Sequence, residues 1–236
     1  MINKKDKVIA LDGPSGSGKS TLAKLLALTL QVKYIDSGAM YRTLAYVLSS
    51  MPIDFSKSSL NQEELNQITK KISQHTFEYM PTSDILIQVD GQDLSQIIRQ
   101  NEVSLKASMT SKFEIVRDFV NDWQRRVVKD HFAVVDGRDI GTVLFPNAIL
   151  KYYVTASVDV RSQRRYLELM KKGNFKGSID SIKKEIAERD FQDTSREIAP
   201  LKQADDAILI DTSNLRIDEV VKRIVTDCKT KGILNE

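Results

Sequence analysis

Residues Gly13, Pro14, Ser15, Gly16, Ser17, Gly18, Lys19, Ser20 and Thr21 carry the most specific chemistry in the chain. They follow the pattern G-x-x-x-x-G-K-S, in which glycines let backbone N–H groups converge on phosphate oxygens. A helix opening at Lys19 would add its positive end. The lysine places a compact charge on the phosphoryl group that moves, and the Ser20 hydroxyl can ligand Mg²⁺. The donor implied is a nucleoside triphosphate with Mg²⁺. Nothing in this run says what accepts the phosphate.

Two further groupings bear on the acceptor. Asp136-Gly137-Arg138-Asp139 closes an apolar run, so two carboxylates flank an arginine where ligands bind in open α/β sheets. Arg161, Arg164, Arg165, Arg189 and Arg196 gather in the second half. Arginine's planar fork suits phosphate, although an isolated surface arginine more often forms a weak ion pair. The guanine-reading pattern N-K-x-D occurs only at Asn3-Lys4-Lys5-Asp6, upstream of the loop and so in the wrong order for a regulatory GTPase. These residues point to a nucleotide or small-metabolite kinase. UMP, AMP, shikimate and dephospho-coenzyme A remain alternative acceptors, and a nucleotide-dependent switch without turnover is the rival from another class.

The elements that must hold these groups alternate between strand and helix. Apolar runs predict strands at 7–11, 33–35, 132–135, 149–154 and 207–211. Helical spacing is expected at 19–30, 39–48, 63–72, 102–108, 113–129, 158–172, 182–189 and 217–228. This alternation argues for a parallel sheet covered on both faces. A serine-rich change of composition at 49–59 marks the edge of an insertion. Within the insertion, short strands at 76–80 and 85–89 would form a hairpin connected through 81–84. Residues 173–178 are expected to form a lid loop.

The chain has 236 residues, 41% hydrophobic and 28% charged, enough for one sizeable core. No apolar stretch approaches the ~20 residues of a membrane span, and no signal-peptide pattern opens the chain. Cys228 is the single cysteine, which excludes an intrachain disulfide and suits a reducing cytoplasm. One cysteine with the separated His75 and His131 argues against zinc. Both histidines are expected to be structural or solvent-facing, and Trp123 to pack. The net charge of +3 is too mild to imply nucleic acid. A monomer is expected.

Several motifs occur together in one order: Asp12-Gly13-Pro14-Ser15-Gly16-Ser17-Gly18-Lys19, then Asp36-Ser37-Gly38-Ala39-Met40-Tyr41-Arg42. Asp136-Gly137-Arg138-Asp139-Ile140-Gly141-Thr142-Val143, Glu188-Arg189-Asp190 and Ala199-Pro200-Leu201 follow. In this combination the chain resembles the bacterial-type cytidylate kinases across nearly its whole length. The resemblance implies a three-layer α/β/α P-loop kinase fold with a central parallel sheet, a small antiparallel monophosphate-binding insertion and a short lid. It implies one domain over 1–236, with a core of about 1–50, 104–160 and 190–236, an insertion of about 51–103 and a lid region of about 161–189. ATP and CMP or dCMP would be the substrates. Lys19, Arg138 and Arg189 would be catalytic. Ser37, Arg42 and Arg138 would hold the monophosphate, with Tyr41 beside them. Asp139, Ser108 and Arg117 would read cytosine, and Arg189, Asp193 and Arg196 would lie near ribose and phosphates. Some members have arginine where this chain has Gln192, which shifts lid charge towards Arg161, Arg164 and Arg165. Which of those three reaches phosphate is left open.

Overall fold

The computed structural model describes residues 6–80, 87–171, 173 and 177–233. The 81–84 connection and residues 174–176 of the 173–178 loop therefore lie outside the described residues. The chain divides into two compact units. The first comprises Met1–Tyr34 with His131–Glu236, and the second Ile35–Asp130.

In the first unit, β1 (Asp6–Asp12) carries the continuous apolar run 8–11 and sits centrally, as such a run must to be buried on both faces. It pairs in parallel with β6 (Ala133–Gly137) on one side and with β7 (Ala148–Thr155) on the other. β8 (Ile208–Asp211) extends the sheet beyond β7, and β2 (Lys33–Asp36) begins beside β6, giving the order β2-β6-β1-β7-β8. One face packs Ile9, Leu11, Val134, Leu150, Tyr152, Val154 and Ile210 against α1 (Lys19–Leu30) and α8 (Ile217–Thr230). The alternate residues Val8, Ala10, Ala133 and Val135 are also fully buried. α6 (Val158–Lys171) and α7 (Ile179–Ser195) pack on each other.

The second unit begins within β2. It contains α2 (Ser37–Leu48), α3 (Gln62–Ser73), α4 (Asn101–Thr110) and α5 (Glu114–Val128). It also contains an antiparallel sheet of β3 (Phe77–Tyr79), β4 (Ile87–Val89) and β5 (Gln92–Asp93). The third strand of this sheet, two exposed polar residues, has no apolar signal in the sequence. α3 is closed by a capping box: Asn61 accepts from the Glu64 amide and Glu64 accepts from the Asn61 amide. Trp123 is buried against Phe77, with ring centroids 5.5 Å apart. His75 pairs with Asp90 and His131 is exposed, in keeping with structural and solvent-facing roles. Among the described residues no helix is long and apolar enough to cross a membrane.

Candidate active site

The phosphate loop connects the end of β1 to the start of α1. Gly13 takes φ 145°, and a Cβ there would lie 2.0 Å from the Val154 carbonyl oxygen, so the loop's first turn requires glycine. Gly18 caps α1 in the left-handed region with no side chain over the helix end, leaving its amide terminus open. Lys19 is buried and curls back into the loop, its Nζ donating to the Pro14 carbonyl at 2.8 Å. Burial, then the neighbouring Arg138 charge, holds its pKa well below the ordinary lysine value.

Two residues brace the loop from behind. Arg161 Nη1 donates to the Ser15 carbonyl at 3.1 Å, and the Thr212 hydroxyl lies 2.9 Å from the Ser17 carbonyl. Ser20 Oγ donates to Asp136 Oδ2 at 2.7 Å, while the Tyr34 hydroxyl donates to Asp136 Oδ1 at 3.2 Å.

This arrangement fits a magnesium triphosphate. A bare glycine turn, an open helix terminus and an inward lysine accommodate phosphate oxygens. A hydroxyl beside one carboxylate suits Mg²⁺, which keeps several waters and uses phosphate oxygens as ligands. Among the described residues no cluster of three or more His, Cys, Asp or Glu could hold a metal alone.

The end of β6 and the end of α7 meet in a network of alternating charge. Arg138 Nε donates to Asp193 Oδ2 at 2.8 Å, and Arg138 Nη1 to the Gly137 carbonyl at 3.2 Å. Arg196 approaches the other Asp193 oxygen at 3.9 Å and donates through Nε to the Ala199 carbonyl at 2.7 Å. Burial would raise the Asp193 pKa, but Arg138, assisted by Arg189 and Arg196, holds it below the ordinary carboxyl value. Burial would conversely lower Arg138, yet Asp193 foremost and Asp136 and Asp190 behind it hold it above the ordinary arginine value. Arg161 pairs with Asp190 at 2.6 Å. The first unit thus brings Lys19, Arg138, Arg189, Asp193 and Arg196 into one electrostatic neighbourhood, with Asp139 buried one residue past Arg138.

Asp12 stands at the stem of the loop. Its two carboxylate oxygens accept from the Ile140 amide at 2.8 Å and the Gly141 amide at 2.7 Å. Burial raises its pKa from 3.8 to about 6 despite these two bonds. Its pairing joins the phosphate loop to a turn whose sequence partner is 128 residues away, which no local pattern could disclose.

Within the second unit, Ser37 opens α2 and is buried. Asp36 caps that helix, accepting from the Ala39 amide at 2.8 Å and pairing with Arg42 at 3.4 Å. The Tyr79 hydroxyl accepts from the Asp36 amide at 2.8 Å, so the small sheet steadies the start of α2. α4 carries Ser108 and α5 carries Arg117, and both helices pack on α2. Arg117 is buried, with its guanidinium 5.5 Å from the Tyr41 ring centre. Ser37, Tyr41, Arg42, Ser108 and Arg117 therefore lie on three associated helices.

Sequence reasoning missed Asp12, Asp190 and Thr212 as organising residues. Of the three α6 arginines, Arg161 contacts the Ser15 and Ala156 carbonyls and Asp190, and Arg164 holds Thr212. Arg165 pairs with Glu168 at 2.9 Å.

Parallel sheet, glycine loop, inward lysine and a hydroxyl–carboxylate pair together define a phosphotransferase of the small P-loop α/β class. A family model described as "Cytidylate kinase" matches residues 9–230. The cytidylate kinase of Bacillus cereus (strain B4264) is 41% identical over 219 residues, 92% of this chain and 94% of the relative. That of Bacillus thuringiensis (strain Al Hakam) is 42% identical over 218 residues, 92% and 93% respectively. The chain belongs to the cytidylate kinase family. A solved putative kinase from Chloroflexus aurantiacus aligns over 97% of this chain and 99% of its own, at 11% identity and a TM-score of 0.46.

Proposed function

We propose that this enzyme transfers the γ-phosphoryl group of ATP to the 5′-phosphate of CMP and dCMP, giving ADP with CDP or dCDP, as a step of pyrimidine nucleotide metabolism. The observation that carries the proposal is the end of β6, where one short run delivers Asp136 to Ser20, Arg138 to Asp193 and the buried Asp139.

A 5′-phosphate oxygen of the acceptor, already anionic at neutral pH, forms a bond to the γ-phosphorus as the bond to the β-bridging oxygen breaks. ADP leaves with that electron pair, so no general base is required. What the protein must supply is alignment and charge. Lys19 leaves the Pro14 carbonyl for the triphosphate. Arg138 and Arg189 offset the repulsion between the two reacting phosphates. Ser37 and Arg42 hold the monophosphate, with Tyr41 packed alongside, and Asp193 and Arg196 serve the ribose and phosphate side. Ser20 and Asp136 would hold Mg²⁺, directly or through its waters, and the ion would offset negative charge on the triphosphate.

Base choice follows from hydrogen-bond complementarity. Cytosine offers one amino donor and two acceptors. Asp139 supplies the acceptor, and Ser108 and Arg117 the donors. Uracil would turn an oxygen towards the Asp139 carboxylate, a mismatch of ~1–3 kcal/mol, or about ten- to hundredfold in selection. We place the enzyme in the cytoplasm, acting as a monomer.

The test is a coupled ADP-release assay with a panel of monophosphates. CMP should lead, and K19A and R138A should each lose at least about a hundredfold in kcat/KM. A preference for AMP, or near wild-type turnover of CMP by either variant, would overturn the proposal.

A further inference from the structure

We propose that Asp12 is a positioning residue for base selection: it sets the aim of Asp139 by holding the two amides that follow it. The inference rests on the reading of Asp139 as the acceptor for the cytosine amino group.

Asp139 occupies the junction between β6 and a π-helical turn over Ile140–Leu144. Its own carbonyl accepts from the Val143 amide at 2.9 Å and the Leu144 amide at 3.1 Å. The next two amides, Ile140 and Gly141, would otherwise be uncapped donors at the start of that turn, buried with it. Asp12 takes both, one on each carboxylate oxygen, at 2.8 and 2.7 Å. The peptide leaving Asp139 is thereby pinned from both sides. The fit is close, since a Cβ on Gly141 would stand 3.0 Å from Lys151 Cδ and 3.3 Å from Asp12 Oδ2. Lys151 is itself held, its Nζ donating to the Pro146 carbonyl and to Asp206.

The place of Asp12 in the chain gives this clamp its consequence. It is the last residue of β1, opposite Gly137 of β6 in the sheet register, and Gly13 follows it directly. The strand that presents the phosphate loop therefore also fixes the residue that reads the acceptor's base. Only a side chain with two acceptor atoms can take both amides. Asparagine keeps one acceptor and turns an NH₂ towards the other amide, and alanine keeps none. Freed of the clamp, the turn can rotate the Asp139 carboxylate away from the amino group, and displacements of about 1 Å at such a group are costly.

The experiment measures kcat/KM for CMP and for UMP, and KM for ATP, in wild type, D12N, D12A and D139N. The inference expects D12A to lower the CMP-to-UMP ratio about tenfold or more and D12N to fall between it and wild type, with KM for ATP moving by less than about threefold. A purely structural role for Asp12 would depress both acceptors together and leave the ratio unchanged, which would overturn the inference. If D12A does not fold, D12N carries the same test. If D139N itself leaves the ratio unchanged, the base-reading role of Asp139 fails. If D139N collapses the ratio and the Asp12 variants do not, the failure belongs to the positioning role alone.

Discussion

Replacing Asp12 by asparagine should change how stability depends on pH more than it changes stability at neutrality. The Asp12 carboxyl titrates near 6 in the fold against an ordinary 3.8, because burial opposes its charge more than the two amide bonds favour it. Below pH 3.8 the folded and unfolded chains both hold this proton. Between 3.8 and about 6 only the folded chain holds it. Above about 6 neither does. The contribution of the neutral group is thus complete at low pH and lost as pH rises through that window. The gap amounts to about 3 kcal/mol. Asparagine carries no such cost at high pH, but it sets an NH₂ against one buried amide, worth about 1–3 kcal/mol. The two effects offset near pH 7, so D12N should lie within about 2 kcal/mol of wild type there and fall progressively behind as pH drops towards 4. Urea unfolding of both proteins at matched pH from 4 to 7.5 measures the difference directly. Groups common to both chains, Asp193 among them, largely cancel in it. A difference that stays flat across the window would refute the reasoning about Asp12 burial.

Two other perturbations probe the same machinery. In G13A the new methyl carbon would meet the Val154 carbonyl oxygen at 2.0 Å with backbone on both sides, so the loop stem must move. A loss of about 2–5 kcal/mol in unfolding free energy and a rise in KM for ATP of at least about tenfold are expected. G91A, with a positive φ and nothing within 4 Å of the added carbon, should cost only about 1–2 kcal/mol and leave ATP binding unchanged. Equal stability of the two would contradict the packing account. For the Arg138–Asp193 pair, R138A and D193N should each destabilise, and the double variant should lose less than their sum, with a coupling of about 1–3 kcal/mol by denaturant unfolding. Additivity would mean that the pair contributes little.

The strands of the parallel sheet and the nine loop residues were legible because each is announced locally, by an apolar run or by glycines at fixed spacing. The ends of elements were less so. The sequence signal for β6 stops at Val135, yet the strand continues through Asp136 and Gly137, whose partners are Leu11 and Asp12 of β1. Pairing across the sheet extends a strand past the point where hydrophobicity ceases. α7 likewise begins at Ile179, where the Ser178 hydroxyl accepts from the Ser181 amide. It then runs to Ser195, because Asp193 finds its counter-charge on Arg138 rather than in water. The charged residues were visible as candidates through the loop pattern, the 136–139 run and the arginine grouping, and their separate roles through the family resemblance. Their partners were not, since Arg138 and Asp193 stand 55 residues apart and Ser20 and Asp136 stand 116 apart.

An abundance of arginine in a phosphotransferase invites the assumption that each guanidinium serves only a phosphate. Arg161 has structural work as well. It is buried, its Nε donates to the Ala156 carbonyl, its Nη1 to the Ser15 carbonyl, and its Nη2 meets Asp190. With all three nitrogens engaged, losing Arg161 would strand Asp190, a half-buried carboxylate, and release the loop carbonyl it braces. Its contacts give it a geometric role. By tying α7 at Asp190 to the phosphate loop at Ser15, Arg161 fixes the distance between the loop and the neighbouring Arg189, Asp193 and Arg196 on the same helix end. Arg164 does comparable work from the next turn, holding both the hydroxyl and the carbonyl of Thr212, whose hydroxyl in turn lies against the Ser17 carbonyl. Arg161 and Arg164 thus each tie a separate element to the phosphate loop, whatever else their remaining N–H groups reach. Arginine suits this role because its planar fork presents donors on three separate nitrogens, each able to meet a different fixed acceptor.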